Sequence, residues 1–201
     1  VNHSAWRFFS KKLGGNMAAS VIKQLMDVTS VGRSVTRIAH EILERNDGPN
    51  NIALIGIITR GEPLAKRIKK LILGQSNEDI PIGLVDITFH RDDFRERLVV
   101  PQVKNTNIPF SLDGKTIILV DDVLFTGRTI RAAIEVLLSF GRPAAIQLAV
   151  LVDRGHREMP IRADFVGKNI PTHEGEHVKV YLKEIDGKDA VQLIRSEGDV
   201  K

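Results

Sequence analysis

The sequence has no cysteine, and aromatic residues make up only 5% of it, with a single Trp and a single Tyr. Without cysteine there are no disulfides, thiolate nucleophiles, iron–sulfur clusters or Cys-based zinc sites. That composition fits a reducing compartment, so a cytoplasmic location is expected. The scarcity of aromatics argues against RNA binding by a sheet of stacking rings. The longest apolar runs, such as residues 52–58 (IALIGII), fall far short of the ~20 residues a membrane helix needs. Acidic residues are missing from residues 1–26, which carry Arg7, Lys11, Lys12 and Lys23. Residues 27–201 hold 25 basic and 25 acidic side chains, so the formal charge of +4 resides in the N-terminal stretch.

At 201 residues the chain suits one α/β domain. Residues 1–26 are expected to be a basic extension, disordered or upstream of a native start at Met17 or Met26. Residues 27–201 are expected to form the domain. Val35, Ile38, Ala39, Ile42 and Leu43 recur at helical spacing, and Asp47-Gly48-Pro49 ends that helix. Residues 52–58 read as a buried strand, Thr59-Arg60-Gly61 as a sharp loop, and 62–73 as a helix. Residues 82–89 and 116–120 read as further strands, 128–140 as a helix and 145–152 as a fourth strand. Residues 91–113 read as a long loop. In the tail Val178, Val180 and Leu182 alternate with Lys179, Tyr181 and Lys183. A turn at Asp186-Gly187 follows, and 190–194 returns. Alternating strands and helices with buried-strand composition predict a mainly parallel sheet flanked by helices, with antiparallel strands at the C-terminus.

Two motif matches fail on context. His173-Glu174-Gly175-Glu176-His177 has the spacing of a zinc-protease helix, but Pro171, the central Gly175 and the strand that follows preclude a helix there. Gly114-Lys115-Thr116 resembles the end of a P-loop, yet Pro109 occupies the position of the leading Gly and a strand follows. No dinucleotide fingerprint and no nucleophile elbow is present.

The stretch 116–129 (TIILVDDVLFTGRT) carries the chemistry. A buried strand leads into adjacent carboxylates, Asp121 and Asp122. Thr126-Gly127-Arg128-Thr129 then opens a helix. Ligands of open α/β sheets lie beyond the carboxyl ends of the strands. A helix N-terminus offers unpaired N–H groups to a phosphate, and Gly127 allows close approach. Carboxylates just upstream can hold the hydroxyls of a sugar whose phosphate rests on the helix. The pattern points to a ribose 5-phosphate cradle.

This stretch resembles the type I phosphoribosyltransferases. Residues 33–45 (RSVTRIAHEILER), 56–61 (GIITRG), 86–93 (DITFHRDD) and 141–171, including VDRGHREMPIRADFVGKN, are similar to the PyrR family of uracil phosphoribosyltransferases, which also regulate pyrimidine operons by binding their mRNA. The resemblance implies a type I phosphoribosyltransferase fold with a flexible hood loop. It implies the reaction of uracil with 5-phosphoribosyl 1-pyrophosphate (PRPP) to give UMP and diphosphate. It also implies Mg²⁺, held mainly by PRPP with no dedicated protein ligand.

By the same resemblance Asp121, Asp122 and Arg60 are catalytic. Thr59, Arg60, Gly61, Arg91 and the run Asp121, Asp122, Val123, Leu124, Phe125, Thr126, Gly127, Arg128 and Thr129 bind PRPP or nucleotide. Asp153, Arg154 and Gly155 bind uracil. A cis peptide is implied in the Thr59 loop. Thr36, Arg37, His40, His156, Arg157, Arg162 and Lys168 are the implied RNA contacts. On the helix itself Arg33, Arg37 and His40 share one stripe. The implied partners are PRPP, uracil, UMP or UTP, the leader mRNA of a pyrimidine operon and a second copy of the chain, with neither membrane nor DNA.

This chain departs from the family pattern at Ile58, where a basic residue is common, and at Phe125 and His90, where Tyr is usual. A plain nucleobase phosphoribosyltransferase without an RNA role, and a catalytically silent nucleotide-sensing regulator, are the alternatives to be separated by experiment.

Overall fold

The computed structural model describes residues 20–87, 105–173 and 175–195. A five-stranded parallel sheet in the order β3-β2-β4-β5-β6 forms the body. Its strands are β2 (Ile52–Ile57), β3 (Ile82–Val85), β4 (Thr116–Leu124), β5 (Ala145–Asp153) and β6 (Phe165–Asn169). Helices α1 (Val28–Arg45) and α2 (Gly61–Ser76) contribute to one core, where Ile38, Ile42, Leu64 and Ile68 pack with Leu54, Ile118, Val120, Ala149 and Leu151. Helix α3 (Arg128–Phe140) contributes to the other, with Ile130, Ala133 and Leu137 against Ala53, Ile55, Ile117, Leu119 and Val150. Alternate residues of each central strand thus enter different cores. Both faces of the sheet are covered, so β2 is apolar without a break.

The second sheet is antiparallel, in the order β1-β8-β7. It comprises β1 (Ser20–Met26), β7 (Glu176–Tyr181) and β8 (Ala190–Arg195), with the short α4 (Lys183–Asp186) between the last two. Met26, Val180, Leu182 and Val191 belong to the same core as α1 and α2, which fixes this sheet to the body. The expected inward set Val178, Val180 and Leu182 is half-buried or buried, while Lys179 and Lys183 are exposed.

Several boundaries differ from expectation: the helix expected over 62–73 is Gly61–Ser76, and the strand expected over 82–89 is Ile82–Val85. The folded unit starts before residue 27, because Ser20–Met26 pairs with β8 from Ser20↔Arg195 to Met26↔Val191, and the exposed Lys23 suits its place as an edge strand. Strand β4 runs past the carboxylates to Leu124, since its pairing with β5 continues through Val123↔Val152 and Leu124↔Asp153. Strand β6 was not foreseen. Its Gly167 is required by packing, since a Cβ there would lie 2.5 Å from the Leu151 carbonyl oxygen, and its Lys and Asn hide the strand signal. Of the loop expected over 91–113, residues 105–113 are described, and Asn107 forms an isolated bridge with Leu84. His173 lies outside any helix and Glu176 opens β7, so His173 and His177 do not share a helical face. Among the described residues no helix is long and apolar enough to cross a membrane.

Candidate active site

The carboxyl ends of β2, β4 and β5 open onto one cleft of about 400 Å³. Thr59 and Arg60 from the β2 end, Asp121 to Gly127 and Thr129 from β4 and its loop, and Arg154 after β5 all line it. Val178 of β7 lines it from the second sheet, with Ile57, Ile58, Ile87 and Ile130 supplying apolar wall.

Two helices begin at this cleft without a side-chain cap. The N-cap of α2 is Arg60 and that of α3 is Gly127. The Arg128 N–H reaches Thr126 Oγ1 at 3.4 Å; a helix start of this kind directs its dipole end and first-turn N–H groups toward an anion. Gly127 has φ of +92°, a left-handed conformation that Gly adopts freely. Gly61 is demanded by contact, because a Cβ would sit 2.2 Å from the Val120 carbonyl oxygen. That closeness brings the start of α2 against β4. The Ile58–Thr59 peptide is cis.

Asp121 is buried and Asp122 half-buried. The Asp122 N–H donates to Asp121 Oδ1 at 2.8 Å, and the Val123 N–H to Asp122 Oδ1 at 2.9 Å. Burial pushes the Asp122 carboxyl above its ordinary value, while the hydrogen bond with Asp121 and the charge of Arg60 oppose the rise. The Arg60 Nη2 donates to Asp186 Oδ1 at 3.1 Å, and its Nε is buried with no hydrogen-bond partner among the described residues.

The end of the cleft beside β5 is built by Arg154. Its guanidinium lies 3.8 Å from the centroid of the Phe125 ring, and its Nη2 donates to the Glu176 carbonyl oxygen at 2.9 Å. Burial holds the Arg154 guanidinium below its ordinary value, with Glu176 opposing. Its Nε also lacks a partner among the described residues. The Asp153 carboxylate caps the loop by accepting the Gly155 N–H at 3.0 Å.

A phosphoribosyl transferase domain model matches residues 21–185. The Bifunctional protein PyrR of Thermus aquaticus is 56% identical over 175 residues, spanning 87% of this chain and 97% of the relative. The Bifunctional protein PyrR of Clostridioides difficile is 54% identical, over 85% and 96% of the two chains. The chain belongs to the PyrR family.

Solved structures carry the same fold at lower identity. A hypoxanthine phosphoribosyltransferase from Staphylococcus aureus superimposes with a TM-score of 0.68 at 18% identity, covering 90% of this chain and 95% of that one. The Trypanosoma cruzi hypoxanthine phosphoribosyltransferase in complex with the product IMP gives 0.66 at 17%, covering 89% and 92%.

Of the residues expected at the PRPP and uracil sites, Thr59, Arg60, Asp121 to Gly127, Thr129 and Arg154 line this cleft, Gly61, Asp153 and Gly155 adjoin lining residues in sequence, and Arg91, with His90, lies outside the described residues. Arg128 points elsewhere, its Nε meeting Glu158 Oε2 at 2.6 Å. The wall residues Ile87 and Val178 were not foreseen as site residues; the inward alternation of Val178 was the available signal.

The RNA candidates divide. Thr36, Arg37 and His40 lie on α1, and Lys168 on β6. Arg37 and Lys168 meet the same edge, since Arg37 Nη2 donates to the Gly167 carbonyl oxygen at 2.6 Å and Lys168 Nζ to that of Leu25 at 2.9 Å. His156, Arg157 and Arg162 lie between β5 and β6. His156 Nε2 contacts the Thr172 carbonyl oxygen at 2.7 Å, and Arg157 bonds to its own loop and to the Phe125 carbonyl. Four of the seven therefore spend polar groups on the protein itself, while His40 and Arg162 are exposed.

Proposed function

We propose that this chain is a uracil phosphoribosyltransferase that also binds pyrimidine-operon leader RNA under control of uridine nucleotides. The observation that carries the reading is the Asp121–Asp122 couplet at the carboxyl end of β4, directly ahead of the uncapped N-terminus of α3, in a member of the PyrR family.

The 5-phosphate of PRPP rests on the amides and hydroxyls of Thr126 to Thr129, and the ribose hydroxyls on Asp121 and Asp122. The α2 N-terminus and Arg60 face the diphosphate. As uracil N1 bonds to the ribose C1 atom, the C1–oxygen bond breaks with its electron pair going to the diphosphate, and the N1 proton passes to solvent. Positive charge on the sugar and negative charge on the leaving group grow together, so fixed carboxylates for the sugar and a fixed guanidinium for the diphosphate favour the transition state. Phe125, backed by Arg154, offers a flat face to the planar base. The adjacent carboxylates supply hard oxygen donors suited to Mg²⁺, which would arrive bound mainly to PRPP and neutralise the diphosphate.

The test is conversion of labelled uracil, hypoxanthine and guanine by the purified chain with PRPP and Mg²⁺. UMP formation alone is expected; conversion of a purine in preference to uracil would overturn the assignment. Retardation of a pyrimidine leader hairpin, strengthened by UMP, is the expected regulatory readout.

A further inference from the structure

Asp186 was expected only in a turn and lies 126 residues from Arg60, yet its carboxylate meets the guanidinium of this cleft-lining arginine. The Arg60 Nη2 is 3.1 and 3.4 Å from the two Asp186 carboxylate oxygens. Asp186 is itself rigidly mounted. Its Oδ2 accepts the N–H of fully buried Leu182 at 2.9 Å. The Arg67 guanidinium, on the same helix α2 that Arg60 caps, grips Glu184 at 2.5 Å and Asp189 at 2.7 Å on either side of Asp186. The carboxylate is thus held at a set place relative to the start of α2.

We propose that Asp186 is a positioning residue for Arg60, tethering one nitrogen of the guanidinium so that the remaining edge is presented to the diphosphate of PRPP. This rests on the phosphoribosyltransferase reading. A guanidinium has five donors in a planar fork. Asp186 occupies one nitrogen, and the buried Nε has no partner among the described residues. An untethered arginine would have to be ordered when the ligand arrives, at a cost in side-chain entropy. The tether removes that cost and fixes the charge near Asp122, where its influence is already felt. The second sheet thereby contributes to the site through a residue that need not touch substrate.

The experiment is a double-mutant cycle on the full chain with Mg²⁺. PRPP affinity is measured by calorimetry for the wild type, Arg60→Ala, Asp186→Ala and the double variant, with uracil KM taken at saturating PRPP. Arg60→Ala and Asp186→Ala are each expected to weaken PRPP binding about tenfold. The double variant should be no weaker than Arg60→Ala, and uracil KM should stay unchanged. Asp186→Asn keeps an acceptor for Leu182 and guards against misfolding of the alanine variant; it should fall between the wild type and Asp186→Ala. Wild-type affinity in Asp186→Asn and Asp186→Ala, or losses that multiply in the double variant, would overturn the inference. A wild type that does not bind PRPP would instead remove the functional reading, and this inference with it.

Discussion

Arg37 of α1 donates its Nη2 to the carbonyl oxygens of Gly167 at 2.6 Å and Val166 at 3.1 Å, so one guanidinium joins the first helix to the edge strand β6. Its Nη1 meets Glu41 at 2.9 Å. A side chain expected to contact RNA therefore also fastens the fold. The side chain is 52% exposed, so solvent screening discounts the bonds, and Arg37→Ala should cost about 1 kcal/mol. That corresponds to a fall in Tm of roughly 2–4 °C for a chain of this size. His40→Ala should leave Tm unchanged. Equal melts for the wild type and Arg37→Ala would show that the guanidinium is not committed to β6.

Gly61 admits no Cβ, because the Val120 carbonyl oxygen stands 2.2 Å from where it would be. Backbone on backbone cannot yield by turning a side chain, so Gly61→Ala must push α2 away from β4. A loss on the order of 3 kcal/mol is expected, with the PRPP site spoiled even where the fold survives. Urea midpoints and PRPP affinity check this; a variant that kept both would show that α2 and β4 are not so closely apposed.

Asp122 opposes stability at neutral pH. Burial raises its folded pKa above the ordinary 3.8. Its favourable contribution is then fully present below that ordinary value and is lost as pH rises through the raised one. Asp122→Asn should melt above the wild type at pH 7, with the gap closing toward pH 4, while uracil turnover disappears. A lower Tm at pH 7 would mean that Arg60 and Asp121 outweigh the burial.

The body of the fold was legible in the sequence because its signals are local. Apolar runs mark β2, β4 and β5 as buried on both faces, and a 3.6-residue period marks α1. The stretch proposed to hold the phosphate was legible for the same reason, since couplet, glycine and helix start lie within 116–129. What stayed hidden depends on contacts distant in sequence. Strand β6 has one half-buried Val and a glycine dictated by Leu151. The burden carried by Arg37 and Arg157 becomes visible only when β6 and the loop after β5 lie beside them.

The clamp between α2 and the C-terminal sheet should be acid-sensitive. Arg67 donates to Glu184 at 2.8 and 2.5 Å and to Asp189 at 3.0 and 2.7 Å. Hydrogen bonding from Arg67 lowers the Glu184 pKa from 4.5. Burial works to raise Asp189, but Arg67 and the Lys183 N–H prevail and hold it below 3.8. Depressed folded values give stability that is present above the ordinary pKa values and lost as pH falls through the depressed ones. Arg67→Met should therefore be less stable than the wild type at pH 7, and the difference should shrink as the solution is acidified below pH 4.5. Urea midpoints at intervals from pH 7 to pH 3 report it; a gap independent of pH would exclude the clamp as its source.

Arg157 separates two roles that share one loop. Its Nε donates to the Ile161 carbonyl at 3.0 Å, its Nη1 to those of Phe125 at 2.7 Å and Gly155 at 3.1 Å, and its Nη2 to the Asp153 carboxylate. Beside it the N–H groups of Glu158 and Met159 converge on the Thr126 carbonyl at 3.0 and 2.9 Å. The loop after β4 and the loop after β5 are therefore fastened to each other, and a ligand held by the first is expected to influence the second. Lysine keeps the charge but cannot reproduce the planar fork, so Arg157→Lys should weaken UMP binding and RNA binding together. Arg162→Ala, at an exposed position on the same segment, should weaken RNA binding and leave UMP affinity intact. Titrating both variants with UMP, and separately with a leader hairpin, tests the distinction. If Arg157→Lys loses RNA while binding UMP as the wild type does, the side chain is an RNA ligand and the two loops are not coupled through it.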